Sequence, residues 1–111
     1  MFRSQLPSVD AASVPADAFL LDVREPEEWA AGHADGAVHI PMGEVVARLG
    51  ELPEGGRVHV VCKAGGRSAQ VAQYLIAQGV DAVNVDGGML GWEAAGRPLV
   101  ADGSVGDPFV L

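Results

Sequence analysis

Short apolar runs alternate with stretches of helical periodicity along the chain, as expected of an α/β sheet with helices packed on its faces. Phe19-Leu20-Leu21 is a brief continuous run that reads as a buried strand delivering Asp22 at its end. Pro26 suits the first turn of a helix, with Glu27 and Glu28 complementing the positive end of its dipole and Gly32 as its C-terminal cap. Asp35-Gly36 marks a turn before a minor strand over Val38 to Ile40. Val45, Val46 and Leu49 recur at helical spacing between about Gly43 and Gly50. Val58-His59-Val60-Val61 is β-branched and nearly continuous, the pattern of a central parallel strand. From Ser68 to Gln78, Val71, Ala72, Leu75 and Ile76 make one apolar face, and Gly79 ends the helix. A further strand over Ala82 to Val85 leads through Gly87-Gly88 into a short helix, Met89 to Ala95, closed by Gly96 and Pro98. The last dozen residues read as a tail whose Phe109, Val110 and Leu111 dock on the domain or on a neighbour.

At 111 residues the chain reads as one domain, with a core over about residues 7–98 and a C-terminal tail over 99–111. No apolar run approaches the ~20 residues of a membrane span, and MFRSQLPSVD lacks the apolar stretch of a signal peptide. The default expectations are therefore no membrane association and a cytoplasmic protein. A formal net charge of −8 with only seven Lys and Arg argues against nucleic acid as a partner. One cysteine rules out an internal disulfide, a CxxC redox pair and a thiolate zinc cage. His33, His39 and His59 lack metal-ligand spacing and read as surface or packed imidazoles, so neither a metal nor an organic cofactor is expected.

The segment VHVVCKAGGRSAQVAQYL carries the chemistry. A buried strand ends at Cys62, a glycine-rich turn follows, and a helix begins near Arg67 or Ser68. Ligand sites of open α/β sheets lie beyond the carboxyl ends of the strands, which is where Cys62 falls. Gly65 and Gly66 can take positive φ and leave the backbone N–H groups free to converge on one anionic centre. An ordinary thiol has a pKa of about 8.5, which helix N-termini and nearby cations lower. Lys63 and Arg67 supply the cations, and a thiolate at Cys62 would be a nucleophile activated by its surroundings, without a histidine base. Asp22 sits at a strand end and could hydrogen-bond backbone near the site, or form a fold-holding pair or cap with Arg24. Trp29 and Trp92 read as core or rim.

Four motifs then occur in a recognisable order: LLDVREPEEWAAGH, GAVHIP, VVCKAGGRSAQVAQYL and NVDGGMLGWEAAGRP. Together they resemble a single-domain rhodanese-like sulfurtransferase, with the match running from about Pro7 to Pro98. The resemblance implies a parallel sheet of about five strands with helices on both faces. It implies transfer of a sulfane sulfur from an anionic donor such as thiosulfate to a nucleophile, cyanide or a thiol, through a cysteine persulfide. Cys62 is then the carrier, with Lys63, Ala64, Gly65, Gly66, Arg67 and Ser68 on the substrate side and Asp22 and Arg24 in support. The partners expected are small-molecule sulfur donors and acceptors, or a sulfur-carrier protein, with the chain acting as a monomer or homodimer. The alternative of a different class is a persulfide relay or regulatory binding module that acts with a protein partner. Phosphatase or arsenate reductase chemistry fits less well. Only four residues separate Cys62 from Arg67, where the phosphate-wrapping loop has five, and there is no resolving thiol. Asp35 is a candidate general acid only by its nearness in sequence.

Overall fold

The computed structural model describes residues 6–102 and 106–111; residues 1–5 of the N-terminal stretch and 103–105 of the tail lie outside the described residues. Among the described residues, seven strands and three α-helices follow one another along the chain. They are β1 (Ser8–Asp10), β2 (Phe19–Asp22), α1 (Pro26–Ala31), β3 (His33–Ala34), β4 (Val38–His39), β5 (Val58–Val61), α2 (Gly66–Ala77), β6 (Ala82–Asp86), α3 (Gly88–Ala94) and β7 (Leu99–Val100). Five strands form one wholly parallel sheet in the order β1-β6-β5-β2-β4. β5 lies in the middle, with Phe19 opposite Val58 on one side and Val58 opposite Ala82 on the other.

Alternation along β5 divides the core. Val58, Val60 and Cys62 face α2, where they meet Leu21, Val23, Ile40, Val71, Ala72 and Leu75. Val61 faces the opposite layer, built from Ala11, Val14, Met89 and Trp92. α2 is amphipathic because Ser68, Val71, Ala72 and Leu75 recur on one stripe, and all four are buried. Ile76, expected on that face, falls at its edge and is 41% exposed. α1 begins as expected at Pro26, and its first turn closes on Glu25, whose carbonyl accepts the Glu28 N–H and whose N–H donates to the Glu28 side chain, both at 3.0 Å.

Several expectations need correction. No α-helix forms between Gly43 and Gly50; that segment is a pair of 3₁₀ turns, Met42–Glu44 and Leu49–Glu51, joined by a turn. Only Val45 of the predicted stripe is buried, and Val46 is 68% exposed, so burial supports a single anchor and not a helical face. Gly32 ends α1 in an extended conformation, not a left-handed one. Glycine is required there for another reason: a Cβ would overlap the backbone of Phe109. The tail therefore docks on its own domain, with Phe109 N–H donating to the Ala31 carbonyl at 3.0 Å and Val110 packing on the α3 layer. The tail also contains β7, which pairs antiparallel with β3 through His33–Val100 and Ala34–Leu99. Among the described residues no helix is long and apolar enough to cross a membrane.

Candidate functional site

The carboxyl ends of the parallel strands converge on the turn between β5 and α2. Cys62 leaves β5 there, with only 1% of its surface exposed. Its Sγ accepts hydrogen bonds from the Gly65 N–H at 3.1 Å and from the Ser68 hydroxyl at 3.3 Å. The turn closes this tightly because Gly65 takes φ +118°, in the region that favours glycine. Gly66 was expected to share that role but does not. It is the first residue of α2, its φ is not positive, and a Cβ there would meet nothing within 4 Å.

Burial alone would push the Cys62 thiol up. The Ser68 hydroxyl and the backbone amides of Ser68, Gly65 and Ala64 outweigh it, so the net shift is below the ordinary thiol value. The groups that lower it most are thus hydrogen-bond donors on the turn and the helix start: the amides expected to converge there, together with the Ser68 hydroxyl. Removing one donor has a readable consequence. Ser68→Ala is expected to slow alkylation of Cys62 by iodoacetamide at pH 7 by roughly tenfold, the factor given by ~1.4 kcal/mol of lost thiolate stabilisation. The rate at high pH, where the thiolate is complete in both proteins, should be unchanged. A wild-type pH profile in the variant would remove Ser68 from the account.

The two cations behave differently. Lys63 is exposed and has no carboxylate partner among the described residues. Arg67 reaches across to α1, where Nη1 and Nη2 donate to the two carboxylate oxygens of Glu28 at 2.7 and 3.0 Å. That forked contact holds the Glu28 carboxyl down at about 2, against the opposing effect of its burial. Because the folded value lies below the unfolded one, the pair adds stability above the usual carboxylate range. The contribution is lost as pH falls toward 2, and partial exposure of both side chains screens it. Glu28 was read in the sequence only as a helix-dipole partner. Its link to Arg67 spans 39 residues and leaves no local pattern.

Asp22 and Arg24 are both fully buried. Arg24 Nε and Nη2 grip the Asp22 carboxylate at 2.7–3.1 Å, and Nη2 also donates to the Gly32 carbonyl at 2.8 Å. The pair therefore ties the end of β2 to the end of α1, the helix that carries Glu28. Trp29 completes this support, stacked against His33 at 3.5 Å and His39 at 4.7 Å between ring centroids. His33 contacts the Trp29 carbonyl through Nδ1, and His39 contacts the Arg24 carbonyl through Nε2. These imidazoles are packed, as is His59 within β5, and Trp92 belongs to the core. Two cavities of about 710 and 730 Å³ lie elsewhere, one at the amino ends of the strands beside Arg57, His59 and Asp81, the other between Leu6 and the far end of α2. Neither is lined by Cys62, and the exposed residues beside it, Lys63, Ala64 and Gly66, lie at the surface.

Comparison with known proteins finds relatives in both sequence and fold. Residues 8–95 match the rhodanese-like domain. A sulfurtransferase of Allochromatium vinosum is 38% identical over 86 residues, 77% of this chain and 80% of that protein. YrkF of Bacillus subtilis, provisionally named a sulfur carrier protein, is 45% identical over 74 residues, 66% of this chain but only 40% of that protein. Among solved structures, a rhodanese-related protein from Thermoplasma volcanium superposes with a TM-score of 0.81 at 31% identity, covering 86% of this chain and 99% of that one.

Proposed function

The chain belongs to the rhodanese-like domain family, and on that basis we propose that it is a sulfurtransferase whose Cys62 carries a transferable sulfur as a persulfide. One observation carries this reading: the only cysteine is buried at the end of the central strand, yet its sulfur accepts an amide and a hydroxyl hydrogen bond that favour the anion. A thiolate so held is a nucleophile, and a persulfide anion formed on it profits from the same donors.

The reaction is a double displacement. The Cys62 thiolate attacks the outer, sulfane sulfur of an anionic donor such as thiosulfate. The S–S bond of the donor breaks, sulfite leaves with the electron pair, and the sulfur stays on Cys62 as a persulfide. An acceptor nucleophile, cyanide or a thiolate, then attacks the outer sulfur and restores the Cys62 thiolate. Neither half needs a metal or an organic cofactor. The turn from Lys63 to Gly66 faces the incoming molecule, with Ser68 behind the sulfur and the Asp22–Arg24 pair fixing the walls.

Arg67 has two of its five N–H groups committed to Glu28, which leaves donors for an anion beside the thiolate. Two substitutions should therefore act in opposite directions. Arg67→Ala is expected to lower kcat/KM for thiosulfate by roughly tenfold, by removing a charge-assisted contact. Glu28→Gln keeps the guanidinium, removes the competing carboxylate, and should raise it. Steady-state kinetics of both variants check this; equal losses would mean that the pair acts only through the fold.

The likeness to a sulfur carrier protein favours a second reading in which the acceptor is another protein and the turn is its docking surface. Turnover decides between them. Thiocyanate released steadily from thiosulfate and cyanide supports the small-molecule enzyme. Sulfur loading that discharges only onto a protein thiol supports relay.

A further inference from the structure

The β5–α2 turn is held from behind by a second turn. Met89 N–H donates to the Cys62 carbonyl at 2.8 Å and Leu90 N–H to the Lys63 carbonyl at 3.0 Å, both from the first turn of α3. Asn84 Nδ2, near the end of β6, donates to the Gly65 carbonyl at 3.4 Å. In a planar trans peptide the carbonyl and the following N–H point in opposite directions. Drawing the Lys63 carbonyl toward α3 thus turns the Ala64 N–H the other way, and Ala64 is one of the amides that lower the Cys62 pKa. Asn84 acts at Gly65 itself: the Gly65 carbonyl accepts both its amide and the Ala69 N–H at 3.1 Å, and the same residue's N–H, in the preceding peptide, meets Sγ at 3.1 Å.

Two residues make this approach possible. Gly88 has φ +56°, and a Cβ on it would overlap the carbonyls of both Cys62 and Lys63. Any larger residue would push those carbonyls away. Asn84 is 4% exposed, and its Nδ2 also donates to Asp86 Oδ1 at 3.2 Å. With two acceptors on that side, the reversed amide would set oxygen against oxygen, which fixes its orientation. Its Oδ1 is buried without a hydrogen-bond partner among the described residues. An orphaned buried acceptor is costly, and an apolar residue of the same shape would avoid it. The amide is retained at that cost where its donor reaches the turn.

We propose that Gly88 and Asn84 are positioning residues for the sulfur-carrying cysteine: Gly88 lets α3 draw the Cys62 and Lys63 carbonyls toward itself, which turns the Ala64 N–H the other way, and Asn84 anchors Gly65, whose N–H meets the sulfur. The assignment rests on Cys62 as the sulfur carrier, and goes beyond it by placing control of the thiolate in a neighbouring turn that never touches the sulfur.

The test is alkylation of the reduced full-length protein by iodoacetamide across pH, with thermal melts of each variant alongside. Asn84→Ala is expected to slow the reaction at pH 7 by about fivefold and Gly88→Ala by about tenfold or more, each profile displaced to higher pH with an unchanged maximal rate. Asn84→Leu fills the same space without a donor, and should behave as Asn84→Ala does. If Gly88→Ala fails to fold, the two Asn84 variants decide. Folded Asn84 variants with a wild-type profile would overturn the proposal, even if their melting temperatures fall. No sulfur donor enters this measurement, so a wild-type protein that takes up no sulfur would overturn the carrier reading and leave the comparison of profiles intact.

Discussion

Cys62→Ser is expected to abolish sulfur uptake and turnover while leaving the fold in place. The hydroxyl of serine is a far weaker nucleophile than a thiolate, and its environment has no base to activate it, so the loss should be at least about a thousandfold. The fold should survive because serine oxygen can accept the same hydrogen bonds, from Gly65 N–H and the Ser68 hydroxyl, that the sulfur accepts. Circular dichroism and a melting temperature near that of the wild type would show this. A variant that still released thiocyanate from thiosulfate and cyanide would place the chemistry elsewhere in the molecule.

The largest effect on stability is expected at Asp22. Asp22→Ala leaves the Arg24 guanidinium fully buried with no carboxylate, which costs about 3–5 kcal/mol. Domains of this size are stable by only about 5–15 kcal/mol, so the variant should lose a large part of its margin. Urea unfolding measures it: the midpoint should fall with little change in slope. The paired substitution Asp22→Leu with Arg24→Met removes both charges together and should recover most of the loss. Recovery of stability without recovery of activity would separate the two jobs of the pair. As a pair it holds β2 to the end of α1, and through α1 it seats Glu28 against Arg67. A single Asp22→Ala variant as stable as wild type would contradict this assignment.

Continuous and strongly periodic segments were legible in the sequence. Val58–Val61 read as a buried strand, and the stripe at 71, 72, 75 and 76 set the face of α2, with Ile76 at its edge and Ser68 joining it in the structure. Of the elements of two or three residues, the minor strand at Val38 was legible and most others were not. β1, β3 and β7 have no periodicity to read, because such short strands exist through the partners they pair with. The Gly43–Gly50 segment failed for the opposite reason: three apolar residues at helical spacing suggested a face, but glycines at both ends and one buried anchor support only 3₁₀ turns.

At the site, the position of Cys62 at a strand end and the conformational demand on Gly65 followed from local sequence, because both are properties of adjacent residues. The convergence of turn amides on that sulfur was expected as well; what aims them was not. Cations are visible as letters, whereas the aim of an amide depends on where the carbonyl before it is held; here Met89 and Leu90 hold those of Cys62 and Lys63, and Asn84, 19 residues along from Gly65, anchors that glycine. The same holds for Arg67, whose reach to Glu28 is settled by how α1 lies beside α2 and by no motif.

The central claim is that Cys62 accepts and gives up a sulfur atom, and intact mass tests it most directly. Reduced protein is incubated with thiosulfate, freed of small molecules, weighed, digested for localisation, and then treated with cyanide. A gain of one sulfur atom is expected on the peptide that contains Cys62, lost again as thiocyanate appears. A folded protein that gains no sulfur from thiosulfate or from a persulfide donor would contradict it.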